Sequence, residues 1–125
     1  MRVGGRPALN VLIVEDNEDS ALSLQMLLGA LGHVAHVTHD GEQAIVAAAA
    51  LNPDVILMDI GLPKMNGYEA ARRIREESPS REMLIVALTG WGQDADRKRS
   101  VEAGIDHHLV KPLDLGELTR ILERD

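Results

Sequence analysis

Cysteine is absent from this chain, and so is phenylalanine. The first absence rules out disulfides and any thiolate metal site. The second, with aromatics at only 2 %, means a core built from Leu, Ile, Val, Ala and Met. No apolar stretch approaches the roughly 20 residues that a membrane-spanning helix needs. The opening MRVGGRPALN lacks the apolar segment of a signal peptide. A cytoplasmic protein that does not engage the membrane is therefore expected. Positive charge is scarce, with 13 Lys and Arg against 20 Asp and Glu and a formal charge of -7. Phosphate backbones need a basic face, so this balance argues against nucleic acid as the direct partner. The 125 residues, 45 % of them apolar, suit one domain with one sizeable core.

Five short apolar runs cross the chain: Leu9–Val14, His33–Thr38, Val55–Met58, Met83–Leu88 and His107–Val110. Between them the apolar residues fall at helical spacing. Ala21, Leu24, Leu28 and Leu31 share one face, as do Ala44, Ile45, Ala48 and Leu51. Tyr68, Ala71 and Ile74 form a third stripe, and Leu115, Leu118 and Leu122 a last one. Gly32, Asn52-Pro53, Ser78-Pro79 and Gly104 punctuate the helix ends. Strands alternating with helices of this length imply parallel pairing through right-handed crossovers. VLIV, VILM and MLIVAL are apolar without alternation, as central strands covered on both faces should be. HVAHVT alternates more and reads as an edge. The expected fold is a single three-layer (βα)5 doubly wound α/β domain, flavodoxin-like, with the strand order 2-1-3-4-5 of that fold class. Residues 1–8 are expected to form a flexible leader and residues 9–125 the domain, with no effector domain after the last helix. The segment Gln93–Ala103 reads as a helix with almost no apolar stripe, and so weakly docked.

The polar residues that end these strands carry the chemistry. Glu15 and Asp16 follow the first, Asp59 ends the third, Thr89 the fourth and Lys111 the fifth. In a parallel sheet all of these ends lie on one rim, where open α/β sheets bind ligands. Converging carboxylates without a cation would raise one another's pKa and lower stability. A hard divalent ion with oxygen ligands removes that conflict, and Mg²⁺ keeps positions open for waters and phosphate oxygens. Glu15, Asp16 and Asp59 are thus candidate metal ligands. Asp59 is a candidate nucleophile toward a phosphoryl group, with Thr89 and Lys111 placed to contact phosphoryl oxygens. Glu18 and Asp19 fit a plainer role, in a first helical turn whose dipole they favour.

At these residues the sequence resembles the receiver domains of two-component response regulators. The resemblance runs from Leu9 to the end of the chain. It rests on the pair Glu15-Asp16, Asp59 in MDIGLPKMNG, Thr89 followed by Gly90, and Lys111-Pro112. Each motif alone is weak, but all four in order, each at a strand end, are specific. The resemblance implies that Asp59 accepts phosphate from a phosphohistidine on a sensor histidine kinase or a histidine phosphotransfer protein, switching a surface read by a downstream protein target. It implies Mg²⁺ held by Glu15, Asp16, Asp59 and the backbone carbonyl of Gly61, with Thr89 and Lys111 on the phosphoryl group. It implies a cis Lys111-Pro112 peptide, and a loop through Pro63 and Gly67 after the phosphoacceptor. Such a domain phosphorylates itself but has no turnover chemistry. The stretch LTGWGQDADRKRSVEAGIDHHLVKP is also similar to receiver domains of hybrid sensor histidine kinases, in which the parent protein would be an enzyme.

One position departs from the family pattern. Three residues before the lysine the family usually has Tyr or Phe; here it is His108. It either packs as that ring does or is a plain surface residue of the strand. Trp91, two residues past Thr89 at a position that flanks the phosphate in the family, shields an acyl phosphate from water, lies on the loop surface or faces a partner. The histidines at 33, 36 and 39 do not make a zinc site, because His33 and His36 face opposite sides of a strand. Three other functions compete. A phosphohydrolase would commonly carry Asp-x-Asp after its first strand, which is missing here. A flavin module would need a Ser-, Thr- and Gly-rich first loop, whereas this one reads EDNED. A phosphate-independent binding module with the same fold is the remaining alternative.

Overall fold

The computed structural model describes residues 2–3, 6–62, 64–78, 82–90 and 97–123. Five strands and five helices alternate: β1 (Asn10–Val14), α1 (Glu18–Ala30), β2 (Val34–Thr38), α2 (Gly41–Leu51), β3 (Val55–Asp59), α3 (Gly67–Glu77), β4 (Leu84–Thr89), α4 (Arg97–Ala103), β5 (His107–Val110) and α5 (Leu115–Glu123). All pairings in the sheet are parallel and the order is 2-1-3-4-5. This is the expected flavodoxin-like fold, and β2 lies at an edge as its alternation foretold. Ahead of the sheet, Arg2–Val3 pairs antiparallel with Arg6–Pro7.

The unbroken apolar runs are explained by two half-cores. Leu12, Val14, Ile56, Met58, Ile85 and Ala87 point to one side of the sheet and meet α2, α3 and Ala103 of α4. Val11, Ile13, Val55, Leu57, Val86 and Leu88 point to the other and meet α1 and α5. Alternate residues of one strand serve opposite faces, so neither can be polar. Tyr68 is the aromatic of the described core. The helical stripes hold in their middles and fail at their ends, where Leu51 and Leu115 are exposed.

Local chemistry sets the helix limits. Asn17, Asp40 and Asn66 cap α1, α2 and α3, each accepting a backbone N–H three residues on. Asn52 closes α2 in the left-handed conformation, and Gly32 and Gly104 take positive φ after α1 and α4. Of the weakly amphipathic helix expected over Gln93–Ala103, residues 93–96 lie outside the described ones. Among the described side chains of α4, Ser100 and Ala103 are buried, and Lys98, Arg99, Val101 and Glu102 are exposed.

Candidate functional site

The carboxyl ends of β1, β3, β4 and β5 open on one rim. Register puts them there, since Val14 pairs with Met58, Asp59 with Leu88 and Thr89 with Val110. One carboxylate oxygen each from Glu15, Asp16 and Asp59 lies within 4.8 Å of the others. Glu15 is buried, Asp59 half-buried and Asp16 exposed. Lys111 Nζ makes an ion pair with Glu15 Oε1 and approaches Asp59 Oδ2 at 3.3 Å.

Several bonds hold these groups. Asp59 Oδ1 accepts the Gly61 N–H at 2.9 Å, which ties the loop to the carboxylate. The Ile60 N–H donates to the Leu88 carbonyl, extending the ladder between β3 and β4 one residue past Asp59. Gly67 is required by close approach, because a Cβ there would lie 2.8 Å from Ile60 Cα and 2.9 Å from the Asp59 carbonyl. It opens α3. Lys111 N–H donates to the Thr89 carbonyl at 2.7 Å, and the Lys111-Pro112 peptide is cis, as the family resemblance implied. Thr89 is buried on the same rim, and its hydroxyl donates to the Leu109 carbonyl of β5 at 3.4 Å. Trp91 and Pro63 lie outside the described residues.

Burial pushes the Glu15 carboxyl above its usual value, against the pull of Lys111 and with reinforcement from Asp59. Burial alone would lower Lys111, but Glu15 and Asp59 together hold it above its usual value. One ammonium thus stands among three carboxylates, which leaves the cluster short of positive charge. A donor set of hard oxygens with unbalanced negative charge fits a hard divalent cation such as Mg²⁺. Beside the cluster lies a groove of about 440 Å³, walled by Leu24, Leu27, Leu88 and Leu113, with Glu15 and Lys111 on its lining.

The structure therefore brings Glu15, Asp16, Asp59 and Lys111 together, with Gly61 against Asp59 and Thr89 one strand away. Two neighbours were not read from the sequence as part of the site. Asn17 N–H donates to Glu15 Oε2 at 3.3 Å, and His39 Nδ1 lies 2.9 Å from the Glu15 carbonyl oxygen. Their signal was positional: Asn17 follows the acidic pair, and His39 follows the strand next to β1. The remaining histidines form no metal cluster among the described residues, where the one such group is Glu15, Asp16 and Asp59.

A family model of the response regulator receiver domain matches residues 11–123. The polar-differentiation response regulator DivK of Brucella ovis is 32 % identical over 104 residues, 83 % of this chain and 85 % of that protein. A probable transcriptional regulator of Guillardia theta is 36 % identical over 108 residues, 86 % of this chain, which spans only 41 % of that longer protein. Among solved structures, the receiver domain of a sensor histidine kinase from Pseudomonas aeruginosa, with a magnesium ion coordinated in its active site cleft, is 37 % identical. It superposes with a TM-score of 0.83, covering 94 % of this chain and 97 % of that one. The receiver domain of Ssk1 from Saccharomyces cerevisiae, in complex with the histidine phosphotransfer protein Ypd1, is 29 % identical with a TM-score of 0.82, covering 92 % of this chain and 86 % of that one.

Proposed function

The chain belongs to the response regulator receiver domain family, and from that membership we propose that Asp59 accepts a phosphoryl group from a phosphohistidine on a partner protein. In the proposed step one Asp59 oxygen attacks phosphorus, the bond from phosphorus to the histidine nitrogen breaks, and a mixed anhydride remains on Asp59. The observation that carries this reading is the Asp59 carboxylate itself. It sits at a strand end, 3.3 Å from the Lys111 ammonium and within 4.8 Å of two further acids.

Each residue then has a role. The Gly61 N–H holds Asp59 Oδ1 and so orients the carboxylate for attack. Lys111 moves with the charge, from the carboxylates it pairs with here to a phosphoryl oxygen. The Thr89 hydroxyl leaves the Leu109 carbonyl for another phosphoryl oxygen, a small rotation made easy by a long 3.4 Å bond. Glu15, Asp16, Asp59 and the Gly61 carbonyl would hold Mg²⁺, which when bound supplies positive charge to the phosphoryl oxygens during transfer. The partner is a sensor histidine kinase or a histidine phosphotransfer protein. The domain does not turn over substrate. Its output is a protein surface, and its location is cytoplasmic.

The test is transfer from a phosphorylated histidine phosphotransfer protein, followed by a gel that retards phosphoproteins. In Mg²⁺ the label should move to this chain and not to Asp59→Asn. Label that reaches Asp59→Asn equally well would refute the assignment of the acceptor.

A further inference from the structure

We propose that His39 is a positioning residue for the acidic pair, and through it for the cation of the phosphoryl-transfer site; the inference rests on the phosphoacceptor reading above. β1 and β2 run in register up to Val14 and Thr38. The ladder continues one bond further, with the Glu15 N–H donating to the Thr38 carbonyl at 3.0 Å. In a parallel ladder the following bond would bring the amide of residue 40 to the Glu15 carbonyl. The chain has already turned away. Asp40 is the N-cap of α2, and its side chain accepts from the Gln43 amide. The His39 amide is engaged as well, donating to Gln43 Oε1 at 2.8 Å.

The His39 ring supplies the missing bond. Nδ1 lies 2.9 Å from the Glu15 carbonyl oxygen, and since a carbonyl only accepts, Nδ1 carries the hydrogen. That carbonyl belongs to the peptide joining Glu15 to Asp16. The Glu15 N–H is held by the last residue of β2 and this carbonyl by the imidazole of the residue that follows it, both from the same neighbouring strand end. The two bonds together fix the backbone from which both acids project, one residue beyond the regular sheet. Outer groups that orient metal-binding carboxylates are part of the affinity of a site, since they keep ligands in place before the ion arrives.

The test is a calorimetric titration of Mg²⁺ alone into the native chain, His39→Ala and His39→Asn, all unphosphorylated. His39→Ala should bind Mg²⁺ about tenfold more weakly, the low end of losses from outer groups. His39→Asn should restore most of the affinity, because its amide nitrogen occupies the place of Nδ1 on the same Cγ. At saturating Mg²⁺, acetyl phosphate should add one phosphate to the native chain by intact mass. Native affinity in His39→Ala would overturn the inference alone, as would equal weakening in both variants, which would make ring packing the cause. A native chain that neither binds Mg²⁺ nor is phosphorylated would overturn the phosphoacceptor reading and this inference together.

Discussion

Glu15 is the buried member of an acidic cluster, and its neighbours explain why the protein tolerates it there. The Lys111 ammonium pairs with it, the Asn17 amide donates to its other oxygen, and its own backbone N–H and C=O are bonded to Thr38 of β2 and to the His39 ring. His33 shows the opposite use of burial. Its Nδ1 accepts the Leu9 N–H at 3.0 Å, so its ring is held neutral, and burial keeps its pKa below the ordinary 6.5. Unfolded chains then bind more protons than folded ones between the folded pKa and 6.5, and stability rises with pH through that window. The contribution is complete above about 6.5 and lost as pH falls through the folded value. Urea midpoints measured from pH 7.5 downward should therefore fall more steeply in the native chain than in His33→Asn; parallel curves would contradict this. The acids, Thr89 and Lys111 were legible because each breaks an apolar run at its end. His33 and His39 were not, because a histidine beside a strand looks the same whether its ring is a surface feature or a built hydrogen bond.

Strands were the most legible elements, since a run such as VILM leaves no polar face for water and must be covered twice. Their observed limits lie within a residue of those read from the sequence. Helix ends were less legible: Leu51 and Leu115 keep the helical spacing but are exposed. The poor apolar stripe of α4 foretold how little it buries, but not what ties it down. His108 Nε2 lies 2.6 Å from the buried Ser100 hydroxyl, and Arg99 sits over the Tyr68 ring at 4.5 Å. His108 therefore joins β5 to α4, which removes its reading as a plain surface residue. It adjoins Leu109, whose carbonyl receives the Thr89 hydroxyl, so the site and α4 are linked through consecutive residues of β5. His108→Ala strands the Ser100 hydroxyl and should cost about 1–3 kcal/mol of stability by chemical denaturation. Phosphorylation of Asp59 should persist, while the affinity of the phosphorylated chain for its output partner changes. An unchanged affinity would remove His108 from the output path.

The order 2-1-3-4-5 makes a site from residues nearly a hundred positions apart: Lys111 reaches Glu15 only because β5 and β1 end on the same rim. That convergence was legible as soon as the runs were read as parallel strands, because parallel pairing collects every strand end of one kind. The direction of each side chain was not. Thr89 bonded to β5 rather than aimed at Asp59 is a matter of rotamer, on which sequence spacing is silent. The central claim is that the rim accepts one phosphoryl group, on Asp59, with help from a divalent cation. It is tested most directly by intact mass after incubation with acetyl phosphate and Mg²⁺, beside Asp59→Asn and a control without metal, sampled from the earliest times. One added phosphate that disappears both in Asp59→Asn and without metal is the predicted result. No added phosphate at any time, or an equal gain in Asp59→Asn, would contradict the claim and leave the acidic rim of a phosphate-independent binding module.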